Sequence, residues 1–164
     1  MKLMVINGPN LNMLGIREPG VYGTQTYQDL CDYLISAAEE RGLTVLCLQS
    51  NSEGQLIDYI QQAYFEGFDG IVINPGAYTH YSFALLDALK SVPVPAVEVH
   101  LSDIHQREDF RRISVTATAC IGQISGKGRE GYVQAMDLLQ AAHEGRALDK
   151  KTGETNQTEK RLDG

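Results

Sequence analysis

Five short apolar runs are the feature of this sequence that most restricts its fold. Within each run apolar residues follow one another, without the polar alternation of a half-exposed strand. Strands of a parallel sheet have this pattern when helices cover both faces of the sheet. We therefore predict buried parallel strands at residues 3–6, 45–48, 71–73, 95–99 and 119–122.

Four helices are expected between and after these runs, three of them because apolar residues repeat at spacings of three and four. They are predicted at residues 27–38, 52–64, 82–90 and 132–139. Ser52 opens the second with a capping-box spacing, and Gly42, Gly67 and Gly145 mark expected helix ends. The alternation predicts an α/β fold: a flavodoxin-like, doubly wound, five-stranded parallel sheet with strand order 2-1-3-4-5.

One domain is expected to hold the folded part of the 164-residue chain. A chain of about 150 residues already buries roughly 70% of its unfolded surface. Residues 1–146 are predicted to form this domain. Residues 147–164 are polar and without periodicity, so burial cannot offset the entropy of ordering them, and a disordered tail is expected.

The charge of the chain argues against nucleic-acid and membrane partners. The net charge is −7, whereas binding to a polyanion needs clustered basic residues. The apolar start is too short for a signal peptide, and no apolar run approaches the length of a membrane span. A cytoplasmic location is therefore expected, and an anionic ligand would need local arginines.

Neither the cysteines nor the histidines have the spacing of a metal site. Cys31, Cys47 and Cys120 are odd in number and lack a CxxC motif, so we interpret them as small buried hydrophobic residues. His80, His100 and His105 form no recognised ligand motif. No metal site is expected.

The loop after the first strand is a candidate lid or binding loop. Ligands of doubly wound sheets bind beyond the carboxyl ends of strands, where the strand order reverses, here between strands 1 and 3. Residues 7–23 are long for such a connection, which usually takes about 2 to 6 residues. Tyr22 could act as a general base here, because the nearby Arg17 guanidinium would stabilise its phenolate. A lone tyrosine would more often be a surface aromatic residue.

The ends of strands 3 and 4 supply further candidates. Asn74 and His80 flank a Pro-Gly turn and offer hydrogen bonds to a ligand, although His80 could equally be structural. Glu98 and His100 stand two apart on a strand and so point to the same face. A carboxylate there would fix the imidazole tautomer and suit His100 to be a general acid; the alternative is a structural ion pair.

Arg107 and Arg111 would lie one helical turn apart if their segment were helical. Such residues usually mark a solvated face, but an anionic ligand would need them. Other enzyme classes lack their motifs: no GxGxxG follows the first strand, residues 122–128 are not a P-loop, and no GxSxG surrounds Ser82 or Ser102.

Several long motifs in order resemble those of the type II dehydroquinases. They are NGPNLN at 7–12, REP at 17–19, VYG at 21–23, NPGAYTH at 74–80 and EVHLS at 98–102. The resemblance covers about residues 2–145. It implies dehydration of 3-dehydroquinate to 3-dehydroshikimate through an enolate, without a Schiff base, metal or cofactor. It also implies a homododecamer of four trimers, serving shikimate production or quinate use.

The resemblance assigns roles to individual residues. Tyr22 would abstract the C2 proton, Arg17 would stabilise the transition state, and Asn10 would hold the enolate through water. His100 would protonate the leaving C1 hydroxyl, oriented by Glu98. The residues implied to hold the substrate are Asn74, His80, Arg111, the amides of Leu101 and Ser102, and Asp87 from a neighbouring subunit.

A flavodoxin-like module that binds a small acid without turnover is the main alternative. Loss of Tyr22, Arg17 or His100 would favour it, and all three are present. Two departures from the family pattern are Asp103, where asparagine is frequent, and Lys127, where an apolar residue is common. Neither coincides with a matched catalytic residue, although assembly contacts could differ.

Overall fold

The computed structural model describes residues 1–16, 20 and 23–162, with side chains as far as Asp149. Five parallel strands form one sheet with the order β2-β1-β3-β4-β5. The predicted flavodoxin-like order is confirmed. The strands are β1 Lys2–Asn7, β2 Thr44–Gln49, β3 Gly70–Asn74, β4 Ala96–His100 and β5 Gly122–Ser125.

Helices cover both faces of this sheet. One of them begins after Thr26, whose side chain accepts from the Asp29 amide while the Asp29 carboxylate accepts from the Thr26 amide. This reciprocal cap satisfies two amides that the first helical turn leaves without partners. At Ser52, the predicted capping box is half formed: the Ser52 hydroxyl accepts from the Gln55 amide. The helices are α1 Tyr27–Glu40, α2 Glu53–Phe65, α3 Phe83–Ser91 and α4 Glu130–Leu162.

The core lies in two layers because successive residues of a strand point to opposite faces. On one face, Leu3 and Val5 of β1 pack with α1 and α4, and on the other Met4 and Ile6 pack with α2 and α3. All four are fully buried. Burial of each such side chain stabilises the fold by about 1.5–3 kcal/mol. The sheet is therefore a rigid support for the loops at its carboxyl edge.

Two predicted boundaries are wrong. Residues Thr116–Ala119 form a 3-10 turn, so the last strand begins at Gly122 and not at residue 119. The turn brings the Thr116 hydroxyl to a buried carboxylate. The Cys120 amide donates to the Ala117 carbonyl at 3.0 Å, so the start of the apolar run closes this turn and does not join the sheet. The last helix continues past Gly145 to Leu162. Gly145 has no positive φ, and glycine inside a helix costs only about 1 kcal/mol. The division of the chain at residue 146 stays a prediction.

The three cysteines are free thiols. Cys31 is buried as predicted, whereas Cys47 and Cys120 are half-buried, which corrects the interpretation of all three as buried. In the part of the chain that the structure describes, no helix has the length and apolar character of a membrane span.

Candidate active site

A cavity of about 180 Å³ opens at the carboxyl edge of the sheet, beyond the ends of β1, β3 and β4. This is the place that the reversal of strand order predicts for a ligand. Seven of the predicted site residues line it: Asn10, Asn74, His80, His100, Leu101, Ser102 and Arg111. Arg17 and Tyr22 lie outside the described residues.

The turn after β1 is fixed by the end of β3. Asn7 and Asn74 are neighbours in register, and the Gly8 amide donates to the Asn74 carbonyl across 2.7 Å. A Cβ atom on Gly8 would lie 2.6 Å from the Pro75 carbonyl oxygen, so only glycine fits this close approach. Asn10 follows in a left-handed conformation, with φ of 68°, a conformation that asparagine tolerates better than most residues. The backbone thus presents Asn10 at the cavity.

A buried polar chain orients the Asn74 amide. Its nitrogen donates to the Tyr132 hydroxyl at 2.9 Å, and that hydroxyl donates to the Asn7 side-chain oxygen at 2.7 Å. The Asn74 side-chain oxygen accepts from the Gly76 amide at 3.1 Å. Tyr132 is fully buried on α4, and the sequence pattern assigned it only to the apolar face of that helix. A buried tyrosine hydroxyl nearly always has a partner, which was the one signal for this role.

His80 is held by the segment between β4 and β5. Its Nδ1 lies 2.8 Å from the Ile113 carbonyl oxygen. Since a carbonyl only accepts, Nδ1 must carry a proton and donate it. In the neutral ring Nε2 is then a hydrogen-bond acceptor. His80 also lines the cavity. This geometry suits the recognition of a ligand hydroxyl.

Glu98 and His100 form a buried pair at the end of β4. The Glu98 side chain is inaccessible to solvent and His100 is 5% exposed. The distance from His100 Nε2 to Glu98 Oε1 is 2.7 Å, which confirms that the two residues share one face of the strand. An ionised carboxylate only accepts, so Nε2 carries the proton. Nδ1 is then the nitrogen that can exchange a proton with a ligand.

Glu98 stays ionised despite its burial. Burial by itself raises the pKa of this carboxyl, but hydrogen bonds from His100, Thr116 and Thr79, together with the charge of His100, outweigh it. The result is a pKa lowered to about 2. The ionised carboxylate holds the ring through the bond to Nε2, and an imidazole positioned in this way can act as a general acid.

Two arginines give the acidic chain a local cationic site. Arg107 and Arg111 both line the cavity, although the segment forms two 3-10 turns, Ile104–Gln106 and Asp109–Arg111, in place of one continuous helix. Arg111 Nε lies 3.3 Å from Glu108 Oε2, without hydrogen-bond geometry. The guanidinium groups could bind an oxygen of a small anionic ligand.

Two predicted residues stand apart from the cavity wall. Glu98 lies behind His100 and acts on the cavity only through it. Asp87 is an exposed residue of α3 and does not line this cavity. Among the described residues, no group of three or more His, Cys, Asp or Glu side chains is arranged to hold a metal ion.

The fold and the cavity together define a class of protein: a flavodoxin-like enzyme with a buried Glu-His pair that can move a proton on a small polar ligand. The sequence narrows this class to one family. Residues 1–140 match the model of dehydroquinase class II, and the chain belongs to that family.

Named relatives agree over nearly their whole lengths. A 3-dehydroquinate dehydratase of Clostridium perfringens is 62% identical over 139 residues, covering 85% of this chain and 96% of that protein. Among solved structures, the type II dehydroquinase of Butyrivibrio crossotus is 55% identical with a TM-score of 0.84, covering 85% of this chain and 97% of that one. The type II dehydroquinase of Propionibacterium acnes is 43% identical with a TM-score of 0.81, covering 84% and 94%.

Proposed function

We propose that this chain dehydrates 3-dehydroquinate to 3-dehydroshikimate through an enolate, without a lysine imine, metal or cofactor. The observation that carries the proposal is the buried Glu98–His100 pair, 2.7 Å apart, at a cavity on the carboxyl edge of the sheet. The family match of residues 1–140 supports the choice of substrate.

The first step is removal of the C2 proton. Tyr22 accepts it as phenolate, and the Arg17 guanidinium stabilises the developing negative charge, as the family resemblance implies. Asn10 holds the enolate oxygen through a water molecule. The described beginning of the same loop supports this assignment, because residues 10–14 include four that line the cavity, namely Asn10, Leu11, Met13 and Leu14.

The second step is loss of the C1 hydroxyl. The electron pair of the enolate forms the new carbon–carbon double bond as the C1–oxygen bond breaks, and His100 Nδ1 gives its proton to the departing oxygen. Water is the product, and Glu98 balances the charge of the imidazole before the transfer. The bond from His100 Nε2 to Glu98 supports this direction of transfer because it leaves Nδ1 for the substrate.

The remaining polar groups hold the substrate. Asn74 and His80 bind ring hydroxyls, and Arg111 binds a further oxygen. The amides of Leu101 and Ser102 bind the carboxylate. The Gly126 and Gly128 amides donate to the carbonyls of His100 and Leu101 at 3.2 and 3.0 Å, which fixes the backbone of this turn.

A homododecamer of four trimers is part of the proposal. Large apolar side chains lie exposed on α3 and on the turns near it, including Phe83, 64% exposed, and Phe110, 71% exposed. Exposed apolar groups of this size favour contact with other subunits. Asp87 lies exposed on the same helix, which suits a residue that completes the site of a neighbour. The cytoplasmic location expected from the sequence stays a prediction.

Purified enzyme supplied with 3-dehydroquinate is expected to raise the ultraviolet absorbance of a conjugated enone, because dehydration places the new double bond next to the ketone. The measurement is a continuous absorbance assay, with product identity checked by mass spectrometry. Binding of 3-dehydroquinate without any absorbance change would contradict the proposed function and favour the module that binds without turnover.

The same assay separates the enolate route from an imine route. Among the described residues, no lysine lines the cavity. Treatment with borohydride in the presence of substrate should therefore leave the activity intact. Substrate-dependent inactivation with a reduced adduct on a lysine would contradict the enolate mechanism.

Subunit mixing is expected to restore activity to two inactive variants if Asp87 acts in a neighbouring site. Tyr22→Phe and Asp87→Ala chains, each severely impaired alone, are dissociated together and reassembled. Some mixed trimers then contain one site with both native residues, because each residue comes from a different chain. Activity is measured against each variant taken through the same procedure separately.

Recovery only after mixing would place the two residues in different subunits. The absence of recovery, when mass spectrometry shows mixed trimers, would place Asp87 in the same subunit as Tyr22 or outside the reaction.

A further inference from the structure

The Glu98 carboxylate is held by more donors than the Glu-His pair requires. The hydroxyls of Thr79 and Ser114 donate to Oε1, each at 2.7 Å, and the Gln123 amide donates to the same atom at 3.0 Å. The Thr116 hydroxyl is the donor to Oε2. These residues come from three elements and one loop, and Thr116 is fully buried.

Neutral groups help His100 to stabilise the charge of Glu98. A buried carboxylate without partners would lose its charge, since burial of an unpaired ion costs several kcal/mol. Among the described residues, its titratable neighbours are His100 and Cys120, and the Cys120 pKa is raised to about 12 by burial and by the Glu98 charge. The thiol is therefore neutral, and three hydroxyls and an amide supply the remaining hydrogen bonds.

Oε2 depends on a different donor from Oε1. Oε1 receives the His100 Nε2 bond and three further donors, whereas the bond from Thr116 is the one the structure shows at Oε2 among the described residues. Loss of the Thr116 hydroxyl would leave Oε2 buried without that bond. The carboxylate could then rotate or take up a proton, and either change would alter the partner of Nε2.

We propose that Thr116 is a positioning residue of the dehydration: its hydroxyl holds the Glu98 carboxylate ionised and aimed at His100 Nε2, so that Nδ1 faces the substrate. Thr116 does not line the cavity, so it acts through Glu98 and not by touching the ligand. The expected effect of Thr116 on turnover rests on the proposed function, whereas its expected effect on the ionisation of Glu98 does not.

The test compares two substitutions at one position. Thr116→Val keeps the shape of the side chain and removes the hydroxyl, whereas Thr116→Ser keeps the hydroxyl and removes the methyl group. A hydrogen bond to a charged group is worth about 1.5–3 kcal/mol, so kcat of Thr116→Val should fall by about tenfold or more. KM should stay within about twofold, because uniform ligand binding is unchanged. Thr116→Ser should recover most of kcat.

The matched control is Thr118→Val on the same turn. The Thr118 hydroxyl donates to the Val115 carbonyl at 2.8 Å and is not a partner of Glu98, and Thr118 is exposed. This variant should keep normal kcat. Thermal unfolding of each variant checks that the kcat values compared are those of folded proteins.

A second measurement follows Glu98 without turnover. Carbon-13 NMR of the glutamate carboxyls, with the Glu98 signal assigned through Glu98→Gln, gives its titration midpoint. The midpoint should rise by about one pH unit in Thr116→Val, since one unit corresponds to about 1.4 kcal/mol, and return in Thr116→Ser. If Thr116→Val does not fold, Thr116→Ala, which also removes the hydroxyl, takes its place in both measurements.

Three results would overturn the inference: unchanged kcat in folded Thr116→Val, equal losses in Thr116→Val and Thr116→Ser, or an unmoved Glu98 titration. Equal losses of kcat would mean that the methyl group of Thr116 is needed for packing and that its hydroxyl does not position Glu98. If the unmodified enzyme does not dehydrate 3-dehydroquinate, the proposed function fails, and the NMR titration still decides whether Thr116 holds Glu98 ionised.

Discussion

Replacement of His100 by alanine is expected to lower kcat by about 10²- to 10⁴-fold, the usual contribution of a positioned general acid. The ring is buried and lines the cavity, and its Nε2 is bonded to Glu98, which leaves Nδ1 for the substrate. The C2 proton should still exchange with deuterated water, because proton removal precedes departure of the hydroxyl. Turnover is measured by enone absorbance and exchange by proton NMR of 3-dehydroquinate.

The matched control for this variant is His105→Ala. His105 is an exposed residue of the turn Ile104–Gln106 and does not line the cavity, so its loss should leave kcat nearly unchanged. If His100→Ala lost C2 exchange as completely as dehydration, His100 would belong to the first step or to binding. Near-normal turnover would remove it from the acid role altogether.

Replacement of Tyr22 by phenylalanine is expected to abolish most of both reactions. The substitution removes the phenolic oxygen that accepts the C2 proton and keeps the rest of the contact surface, so the loss should fall on kcat, again by about 10²- to 10⁴-fold. Exchange of the C2 proton should disappear with dehydration. Calorimetry should show product binding close to that of the unmodified enzyme.

Tyr64→Phe is the control, since Tyr64 is an exposed residue of α2 outside the cavity wall. Together the two active-site variants show the order of the steps. If exchange of the C2 proton is lost in Tyr22→Phe and retained in His100→Ala, Tyr22 acts first as the base and His100 acts second as the acid. Retained exchange in Tyr22→Phe would assign proton removal to a different group.

Much of the fold follows from local patterns in the sequence. Continuous apolar runs and helical spacing predicted the alternating strands and helices, because a strand covered on both faces is apolar throughout and a half-buried helix is apolar on one face. The rules for doubly wound sheets then gave the strand order. The pattern failed at the start of the run 119–122, where the Cys120 amide closes a turn onto the Ala117 carbonyl. It failed again at Gly145, where a glycine does not end the helix.

In the candidate site, too, some features were predictable from local sequence and others were not. The spacing of Glu98 and His100 was enough to predict that they share one face, since alternation along a strand is a local property. The loops at the strand ends were also predictable, because parallel strands bring their carboxyl ends to one edge.

Contacts between distant segments were decided by the tertiary structure alone. Tyr132 reaches Asn7 across 125 positions, and Gln123 reaches Glu98 across 25. Nothing in the local sequence of Thr116 distinguishes its buried hydroxyl from the exposed one of Thr118. A local period records which side chains are buried, but a buried polar group selects its partner by direction and distance after the chain has packed. The sequence therefore determined the sheet and the pair at its edge, and the packing decided which groups hold that pair in place.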